Sequence, residues 1–480
     1  MKRILSTLLL VAILTVTVLG TLTSCGGGGT GGGGGGGGTV APDFVMPAEG
    51  FDTTKPVTIT FYHSMGAGLR DILDDAIADF KEIYPNITVE HQSFGDYDGV
   101  RDQIKQEVLV GDQPNLAYCY PDHVALYNDA NAVQTLDVFM NDATYGYSKE
   151  QLEDFVAGWL AEGAAFGDGK MYSLPLSKST EVLYYNKTYF EKNNLSVPKT
   201  WDEMEAVCRQ IKALEGDKCI PLGYDSESNW FITMCEQYGS DYTSASGDKN
   251  FIFDNETNRS FVERFRTWYQ EKLVTTKALN SNSYTSNLFT GSATGNAAGT
   301  RSYMCIGSTG GTVYQQPKMV DGKYEFEVGV AQIPQINPAK PKVISQGPSI
   351  CLFKKADAQE VLASWLFAKF LTTDINFQAA VSMNNGYCPV IKSVIENTEY
   401  KAWLDTAGTS NLQAYGVKAA LEHADSYYAS PAFLGSSIAR DQVGLLLTKC
   451  LSETNASDIK AFIKSAFEDA VEECEYQAGQ

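Results

Sequence analysis

The sequence predicts an α/β fold with two lobes. Segments with the pattern of β-strands alternate with segments with the pattern of helices in the first part of the chain, and this alternation is typical of a sheet covered by helices. The chain has 480 residues. Because a single hydrophobic core stops growing at roughly 250–300 residues, two cores are expected. Hydrophobic residues make up 44% of the sequence and aromatic residues 11%, so both cores can be well filled.

The alternation begins with a predicted strand at residues 57–62. Its apolar side chains alternate with more polar ones, which is the period of a strand with two different faces. Apolar residues then recur at helical spacing over residues 69–83, and a proline ends that pattern. Residues 87–89 and 116–120 are further predicted strands, separated by a helix over residues 100–108. This βαβαβ order predicts a parallel sheet.

Ligands of parallel α/β sheets bind beyond the carboxyl ends of the strands. For the three predicted strands, these ends lie at residues 62–65, 93–97 and 120–123. The same patterns predict further strands later in the chain, at residues 183–185, 328–333 and 350–353. They also predict a helix at residues 358–371, a helix that begins with a capping box at Thr200, and a last helix that begins with a cap at Ser457.

The amino terminus has the pattern of a bacterial export signal. Two basic residues precede an apolar segment that is too short for a spanning helix, which needs roughly 20 apolar residues. Leu22-Thr23-Ser24-Cys25 resembles the lipobox of bacterial lipoproteins, in which the cysteine is acylated and becomes the first residue. We expect residues 1–24 to be a signal peptide and Cys25 to carry the lipid. The alternative is an ordinary signal peptide with a chance cysteine.

A glycine-rich segment follows Cys25. Only Thr30 interrupts the glycines between Gly26 and Gly38, and such a run behaves as a flexible coil. We expect residues 25–50 to tether an extracytoplasmic globule, on the cell surface or in the periplasm, to the membrane through its lipid.

The charge and the metal-binding residue types exclude several classes of function. The formal net charge of −21 is repelled by nucleic acid and by anionic lipid heads, so no nucleic-acid partner is expected. None of the four histidines has a zinc-like spacing, so we expect neither a metal nor a cofactor. Disulfides between Cys208 and Cys219 and between Cys450 and Cys474 stay open.

Six short stretches, in this order, carry a resemblance to a known family. They are residues 60–65 (TFYHSM), 111–115 (GDQPN), 174–187 with LP and LYYNK, 198–204 (PKTWDEM), 329–334 (GVAQIP) and 385–390 (NGYCPV). In this order they resemble family 1 extracellular solute-binding proteins, the group of maltose- and glycerol-3-phosphate-binding proteins. Each stretch is weakly specific alone, but together they span nearly the whole chain after the tether.

The resemblance implies an α/β fold of the periplasmic binding protein-like type II, with two lobes joined by a hinge and a ligand cleft between them. It implies one lobe from residues 54–166 plus 302–352 and a second from 168–300 plus 354–480. It also implies a monomer that captures a carbohydrate or polyol derivative by hinge closure and delivers it to an ABC permease. Neither catalysis nor a catalytic residue is implied.

The resemblance also implies a set of solute-binding residues. Hydroxyl groups and backbone N–H groups hydrogen-bond polyol or phosphoryl oxygens, while flat rings cover C–H faces. The positions carried over are Tyr97, Asp122, Ser177, Lys178, Ser179, Trp230, Ser308, Thr309, Gly347 and Tyr387.

Two departures from the glycerol-3-phosphate branch leave the charge of the solute open. Pro121, followed by Asp122, stands where that branch has a ligand-binding glutamate, and Phe433 stands where it has an arginine. Losing this arginine removes a bidentate anion clamp. Arg301 or Arg440 could replace it, but a neutral sugar fits the sequence equally well.

Several of these residues have a structural alternative. Trp230 could be a core aromatic, Tyr387 could pack a turn, and Asp122 could cap the helix after Pro121. Residues 308–311 could be a simple turn or a set of N–H groups that binds an anion. His63 is interpreted as structural rather than as a base.

Two other classes of function stay open at this point. A secreted carbohydrate-active enzyme would need a catalytic triad or a carboxylate pair, and no nucleophile-elbow pattern is found in the sequence. A surface lipoprotein that senses a ligand or mediates adhesion would share the same cleft.

Overall fold

The structure is a computed structural model that describes residues 41–246 and 248–479. The predicted signal peptide, Cys25 and the glycine-rich part of the tether lie outside the described residues. Within the described ranges, no helix combines the length and the apolar character that crossing a membrane requires.

The strands are short, and most are buried. In chain order they are β1 (Val57–His63), β2 (Ile87–Ser93), β3 (Leu116–Cys119), β4 (Val133–Gln134), β5 (Ser173–Pro175), β6 (Glu181–Asn186), β7 (Leu222–Tyr224), β8 (Val274–Thr276), β9 (Met304–Ser308), β10 (Met319–Val320), β11 (Lys323–Tyr324), β12 (Val328–Gln332), β13 (Val343–Ile344), β14 (Ser349–Phe353) and β15 (Tyr427–Tyr428).

Helices cover the sheets and fill most of the remaining chain. They are α1 (Ala67–Ile83), α2 (Tyr97–Val108), α3 (Pro121–Asp129), α4 (Asp137–Met140), α5 (Lys149–Asp154), α6 (Ala157–Ala161), α7 (Lys187–Lys192), α8 (Trp201–Glu215), α9 (Glu227–Tyr238), α10 (Glu256–Gln270), α11 (Ser286–Phe289), α12 (Ala358–Thr373), α13 (Ile375–Asn385), α14 (Lys392–Glu396), α15 (Thr398–Leu404), α16 (Leu412–Glu422), α17 (Ser436–Ser452) and α18 (Ile459–Ala478).

The first sheet has the strand order β2-β1-β3-β14-β4, and β5 also pairs with β14. The predicted βαβαβ order from β1 to β3 is confirmed, because β1 pairs in parallel with both β2 and β3. Strand β14 runs antiparallel to its neighbours, so the sheet is mixed. Buried and more exposed residues alternate along β1, as its sequence predicts.

The second sheet has the strand order β12-β6-β9-β7-β8. Its central strand β9 is antiparallel to β6 and parallel to β7. Helix α8 on this sheet begins with the predicted capping box, in which Thr200 and Glu203 each bond the other's backbone N–H. The last helix, α18, is capped by Asp458 rather than by the predicted Ser457.

Each sheet belongs to a separate hydrophobic core. Helices α12 and α13 contribute side chains to the core of the first sheet, whereas α17 and α18 contribute to the core of the second. We call the first sheet with its core the first lobe and the second sheet with its core the second lobe. The chain crosses between them three times, through residues 176–180 between β5 and β6, 333–348 between β12 and β14, and 405–435 between α15 and α17.

These pairings correct the predicted division of the chain. Residues 302–352 were expected in the first lobe, but β9 and β12 in this range pair with β6 in the second sheet. Residues 354–480 were expected in the second lobe, but their first part, from α12 to α15, packs on the first core. The prediction failed here because strand pairing between distant segments leaves no local pattern in the sequence.

All nine cysteines of the described ranges are buried free thiols. The pair Cys208 and Cys219 and the pair Cys450 and Cys474 are therefore unbonded in the structure. Burial raises the pKa of each of these four thiols, which favours the neutral, unreactive form.

Candidate functional site

A cavity lies where the two lobes meet beyond the carboxyl end of β3. Three parts of the molecule form its wall, namely the first lobe, the crossing segments and the second lobe. Its lining residues are Tyr120, Pro121, Asp122, Glu162, Lys178, Ile232, Tyr242, Ile344, Ser345, Gln346, Gly347, Ala429, Ser430, Pro431, Ser436 and Arg440.

The free volume of this cavity is about 50 Å³. Pockets that enclose a small organic ligand usually have about 300–1,000 Å³. The lobes are therefore close together in this structure, and a sugar-sized solute enters only if they move apart. Movement about three crossing segments is the kind of hinge motion that such a fold permits.

A buried ion pair lies on the wall of the cavity next to the crossing segments. Lys178 Nζ is 2.5 Å from Glu162 Oε2, and the Ser345 hydroxyl donates a hydrogen bond of 2.5 Å to Glu162 Oε1. The lysine side chain is only 2% exposed. A buried charge without a partner is costly, so the carboxylate of the first lobe keeps this crossing segment in place.

A second polar network enters the cavity from the second lobe. The Arg440 guanidinium donates to Asn229 Oδ1, and Asn229 Nδ2 donates to Glu181 Oε1 at 2.9 Å. The Tyr224 hydroxyl donates to Glu181 Oε2 at 2.5 Å. This chain of bonds fixes the direction in which Arg440 faces the cavity.

Burial raises the pKa of Glu181 to about 7, although its hydrogen bonds with Tyr224 and Asn229 act in the opposite direction. The ordinary value is 4.5, so between these two pH values the folded protein holds a proton that the unfolded chain releases. The stability that the protonated Glu181 contributes is therefore fully present below pH 4.5 and is lost as the pH rises through about 7.

We expect the Glu181→Gln variant, which cannot ionise, to unfold with a free energy about 1–3 kcal/mol higher than the wild type at pH 8. The difference should nearly vanish at pH 5. Urea unfolding at the two pH values measures it. Glu82→Gln, at an exposed position of α1, is the control and should show no such pH dependence. Equal differences at both pH values would contradict the expected ionisation.

Tyrosines cover the first-lobe side of the cleft. The ring of Tyr120, which lines the cavity, lies 4.6 Å from the ring of Tyr97. The hydroxyl groups of Tyr97 and Tyr387 are 3.2 Å apart. Tyr387 also reaches the second lobe, because a Cβ added to Gly310 would lie 2.6 Å from its ring. Such rings present flat apolar faces and hydroxyl groups at once.

A salt bridge joins the lobes at the edge of the cleft. Arg101 on α2 lies 3.2 Å from Asp441 on α17, and it also pairs with Asp98 at 3.2 Å and with Asp102 at 2.9 Å. All three contacts are to carboxylates. The charge of Arg101 is therefore matched within the chain.

The structure brings only some of the predicted site residues to the cavity. The structure places Asp122, Lys178 and Gly347 on the wall of the cavity. Tyr97 packs on the ring of Tyr120, and Tyr387 bonds Tyr97, so Tyr120 separates both of them from the cavity.

Ser177 and Ser179 are buried in the first crossing segment. The backbone N–H of Ser179 donates to the Gln346 carbonyl at 2.9 Å, and the N–H of Gln346 donates back at 2.9 Å. The N–H of Ser177 donates to the Pro348 carbonyl at 3.2 Å. Both serines therefore connect crossing segments through their backbones, and neither is among the residues that line the cavity.

Trp230 does not line the cleft. Its side chain is 0% exposed, and its ring stacks on Tyr224 at 5.0 Å and packs on Phe265 at 4.1 Å. The predicted solute contact is wrong, because residues 229–235 of α9 are all buried and the ring of Trp230 packs into the second core. Ile232, two residues later, faces the cavity instead.

Ser308 ends β9, Thr309 follows it, and both contact the first crossing segment. The Thr309 N–H donates to the Thr180 carbonyl at 2.9 Å, and the Gly310 N–H donates to the Ser308 hydroxyl at 3.2 Å. These two N–H groups are therefore occupied within the chain. Ser308 is the N-cap of a short 3₁₀ helix at residues 309–315, so the segment is not a simple turn.

Of the two arginines that could replace the missing one, the structure brings one to the cavity. Phe433 packs against Phe251, with ring centroids 5.9 Å apart. Arg301 lies next to Gly291 and precedes β9, whereas Ser308 ends that strand nearer the cleft. Arg440 alone of these residues reaches the cavity.

A structural role was predicted for His63, whereas three residues that line the cavity were not predicted. His63 is buried and bonds His91 through their ring nitrogens at 2.9 Å, which agrees with a structural interpretation. Glu162, Tyr242 and Ser345 line the cavity but belong to no sequence pattern that marks a site. Glu162 and Ser345 are held there by contacts between the first lobe and the crossing segments.

Comparison of the sequence with known proteins identifies the family of the chain. The family model described as bacterial extracellular solute-binding protein matches residues 75–407. The sn-glycerol-3-phosphate-binding periplasmic protein UgpB of Salmonella typhimurium is 28% identical over 180 residues, which are 37% of this chain and 40% of the relative. The multiple sugar-binding protein of Streptococcus mutans is 29% identical over 188 residues, or 38% and 39% of the two chains. These matches span about two fifths of the relatives' length.

Solved structures with the same fold cover most of the chain. UgpB from Mycobacterium tuberculosis in complex with glycerophosphocholine superimposes with a TM-score of 0.70 at 17% identity, over 88% of this chain and 99% of that one. The ABC substrate-binding protein Lmo0181 from Listeria monocytogenes in complex with cycloalternan gives 0.68 at 17%, over 88% and 100%. The predicted α/β fold of the periplasmic binding protein-like type II is confirmed.

Proposed function

The chain belongs to the bacterial extracellular solute-binding proteins, and from this membership we propose that it is the substrate-binding lipoprotein of an ABC importer. In this proposal it captures a carbohydrate or polyol derivative between its lobes and delivers it to the permease. Binding is the whole function, without turnover of the solute.

The observation that carries the proposal is the composition of the cavity wall. Tyr120 and Asp122 come from the first lobe, Gly347 from a crossing segment, and Tyr242 and Arg440 from the second lobe. A solute in this position contacts both lobes. Because a ligand favours a closed state only by binding it more tightly than the open state, contact with both lobes couples binding to closure.

The chemistry of the wall supports a polyhydroxylated solute. Tyrosine rings offer faces for C–H groups, and carboxylate, guanidinium and hydroxyl groups offer donors and acceptors for solute hydroxyls. The names of similar proteins support the same class, since they include glycerol-3-phosphate and multiple-sugar binding.

We also propose that Cys25 anchors the protein to the membrane and that residues 26–50 let the globule approach the permease. The sequence Leu22-Thr23-Ser24-Cys25 and the glycine run support the anchor. Replacing Cys25 by alanine should move the protein from the membrane fraction to the soluble fraction of cells that express it. Unchanged membrane association would refute the lipid anchor.

A thermal-shift screen tests the solute class. The purified protein is heated with mono- and oligosaccharides, with polyols and with their phosphate esters, and with amino acids and peptides as the comparison set. A ligand that binds only the folded form raises the melting temperature, by an amount that grows with concentration above Kd. A shift produced only by peptides or amino acids would remove the carbohydrate assignment, and release of a hydrolysed product would remove the proposal of binding without turnover.

A further inference from the structure

The described lining of the cavity contains as many carboxylates as basic side chains. Asp122 and Glu162 are acidic, and Lys178 and Arg440 are basic. This balance affects whether the solute can be charged, because a phosphate ester binds to basic side chains that are not already paired with carboxylates. The partners of each cation therefore decide which solutes the cleft accepts.

The ammonium group of Lys178 is already paired within the chain and does not offer a free positive charge to a solute. Its ammonium group is held by Glu162 at 2.5 Å, and it also donates to the Ser349 hydroxyl at 3.5 Å. A phosphate that took this ammonium group would leave Glu162 as an unpaired, largely buried carboxylate beside a second negative group.

Arg440 has polar partners on two sides. Its guanidinium bonds Asn229, which in turn bonds Glu181. Burial lowers the pKa of Arg440, but the negative charges around it, with Asp122 as the largest of them, outweigh burial and leave the pKa above its ordinary value. Asp122 thus acts on Arg440 from the opposite lobe.

Asp122 retains acceptor capacity on the cavity wall. Its carboxylate accepts a hydrogen bond of 3.1 Å from the His123 N–H at the start of α3. A carboxylate has about four acceptor positions, so one such bond leaves most of them for solute hydroxyls. The same negative charge repels a phosphate that approaches Arg440.

We propose that Asp122 determines the specificity of the cleft, because its carboxylate accepts hydroxyl hydrogens of an uncharged sugar or polyol and keeps phosphate esters away from Arg440. The inference rests on the proposed function and narrows its solute class to uncharged compounds. It assigns to Asp122 a selective role beyond contact with the solute.

Calorimetric titration of matched pairs of solutes tests this assignment. Glucose is measured beside glucose 6-phosphate, and glycerol beside glycerol 3-phosphate, with any uncharged sugar that gave a thermal shift measured beside its phosphate ester. The wild type should bind the uncharged member of a pair at least about tenfold more tightly, equivalent to a difference of 1.4 kcal/mol. In Asp122→Asn this preference should fall by at least about tenfold. Asp122→Ser, which keeps a small acceptor, should show the same loss of preference.

The matched control is Asp129→Asn at the exposed far end of α3, which makes the same change in charge on the same helix. It should leave the preference unchanged. Wild-type binding of the phosphate ester as tightly as the uncharged partner would overturn the inference and leave the proposed function intact. A loss of preference in Asp129→Asn equal to that in Asp122→Asn would also overturn it. Binding of neither class would overturn the proposed function itself.

Discussion

Replacing Lys178 by methionine is expected to lower the free energy of unfolding by about 3–5 kcal/mol, the usual cost of removing one partner of a buried ion pair. The change leaves Glu162, whose side chain is 11% exposed, as an unpaired carboxylate between the lobes. Methionine is of similar length, so the loss reflects charge more than volume. Urea unfolding at pH 7 measures it.

A double variant and a control separate this ion pair from other effects. Lys178→Met combined with Glu162→Gln should recover part of the loss, because no uncompensated charge then remains. Lys340→Met, at an exposed lysine of the second crossing segment, should change the free energy of unfolding by less than about 0.5 kcal/mol. No recovery in the double variant would mean that Lys178 acts through packing alone.

Replacing Gly347 by alanine should lower the free energy of unfolding by about 2–4 kcal/mol. Gly347 has φ = +91°, and an added Cβ would lie 2.4 Å from the Ser177 carbonyl oxygen and 2.8 Å from Lys178 Cα. The cost therefore has two parts, the backbone conformation and the collision between two crossing segments. Solute binding should weaken as well, since Gly347 lines the cavity.

Gly299→Ala is the matched control for this variant. Gly299 has φ = +80° and nothing within 4 Å of an added Cβ, so its replacement costs only the conformational part, about 1–2 kcal/mol. The difference between the two variants measures the collision at the hinge. Equal losses would show that the crossing segments yield to the added methyl group without strain.

Lys178 and Gly347 lie where the chain passes between the lobes. The prediction from sequence was weakest in these crossing segments. The parallel part of the first sheet was predictable because β1, α1 and β2 follow one another and each has its own period. The antiparallel pairing of β14 with β3, β4 and β5 was not predicted. The second sheet was not, since β6 pairs with β9 and β12, which are more than a hundred residues away in the chain. Local periodicity does not contain that information.

The candidate site shows the same division. Asp122 was predictable because it follows a strand of a parallel sheet, where ligands are expected. Trp230 had flanking polar residues typical of a cleft edge, but the turn of α9 directs its ring into the core. Glu162 and Ser345 reach the cavity only because distant segments meet there.

The sequence by itself determined the fold class, the family resemblance and the export pattern at the amino terminus, because each depends on short-range order of residue types. Only the tertiary structure decided which strands share a sheet, which polar groups face the cleft, and that Arg440 rather than Arg301 reaches it. These outcomes depend on contacts between segments far apart in the chain, and such contacts are set by the packing of the two cores rather than by any local pattern.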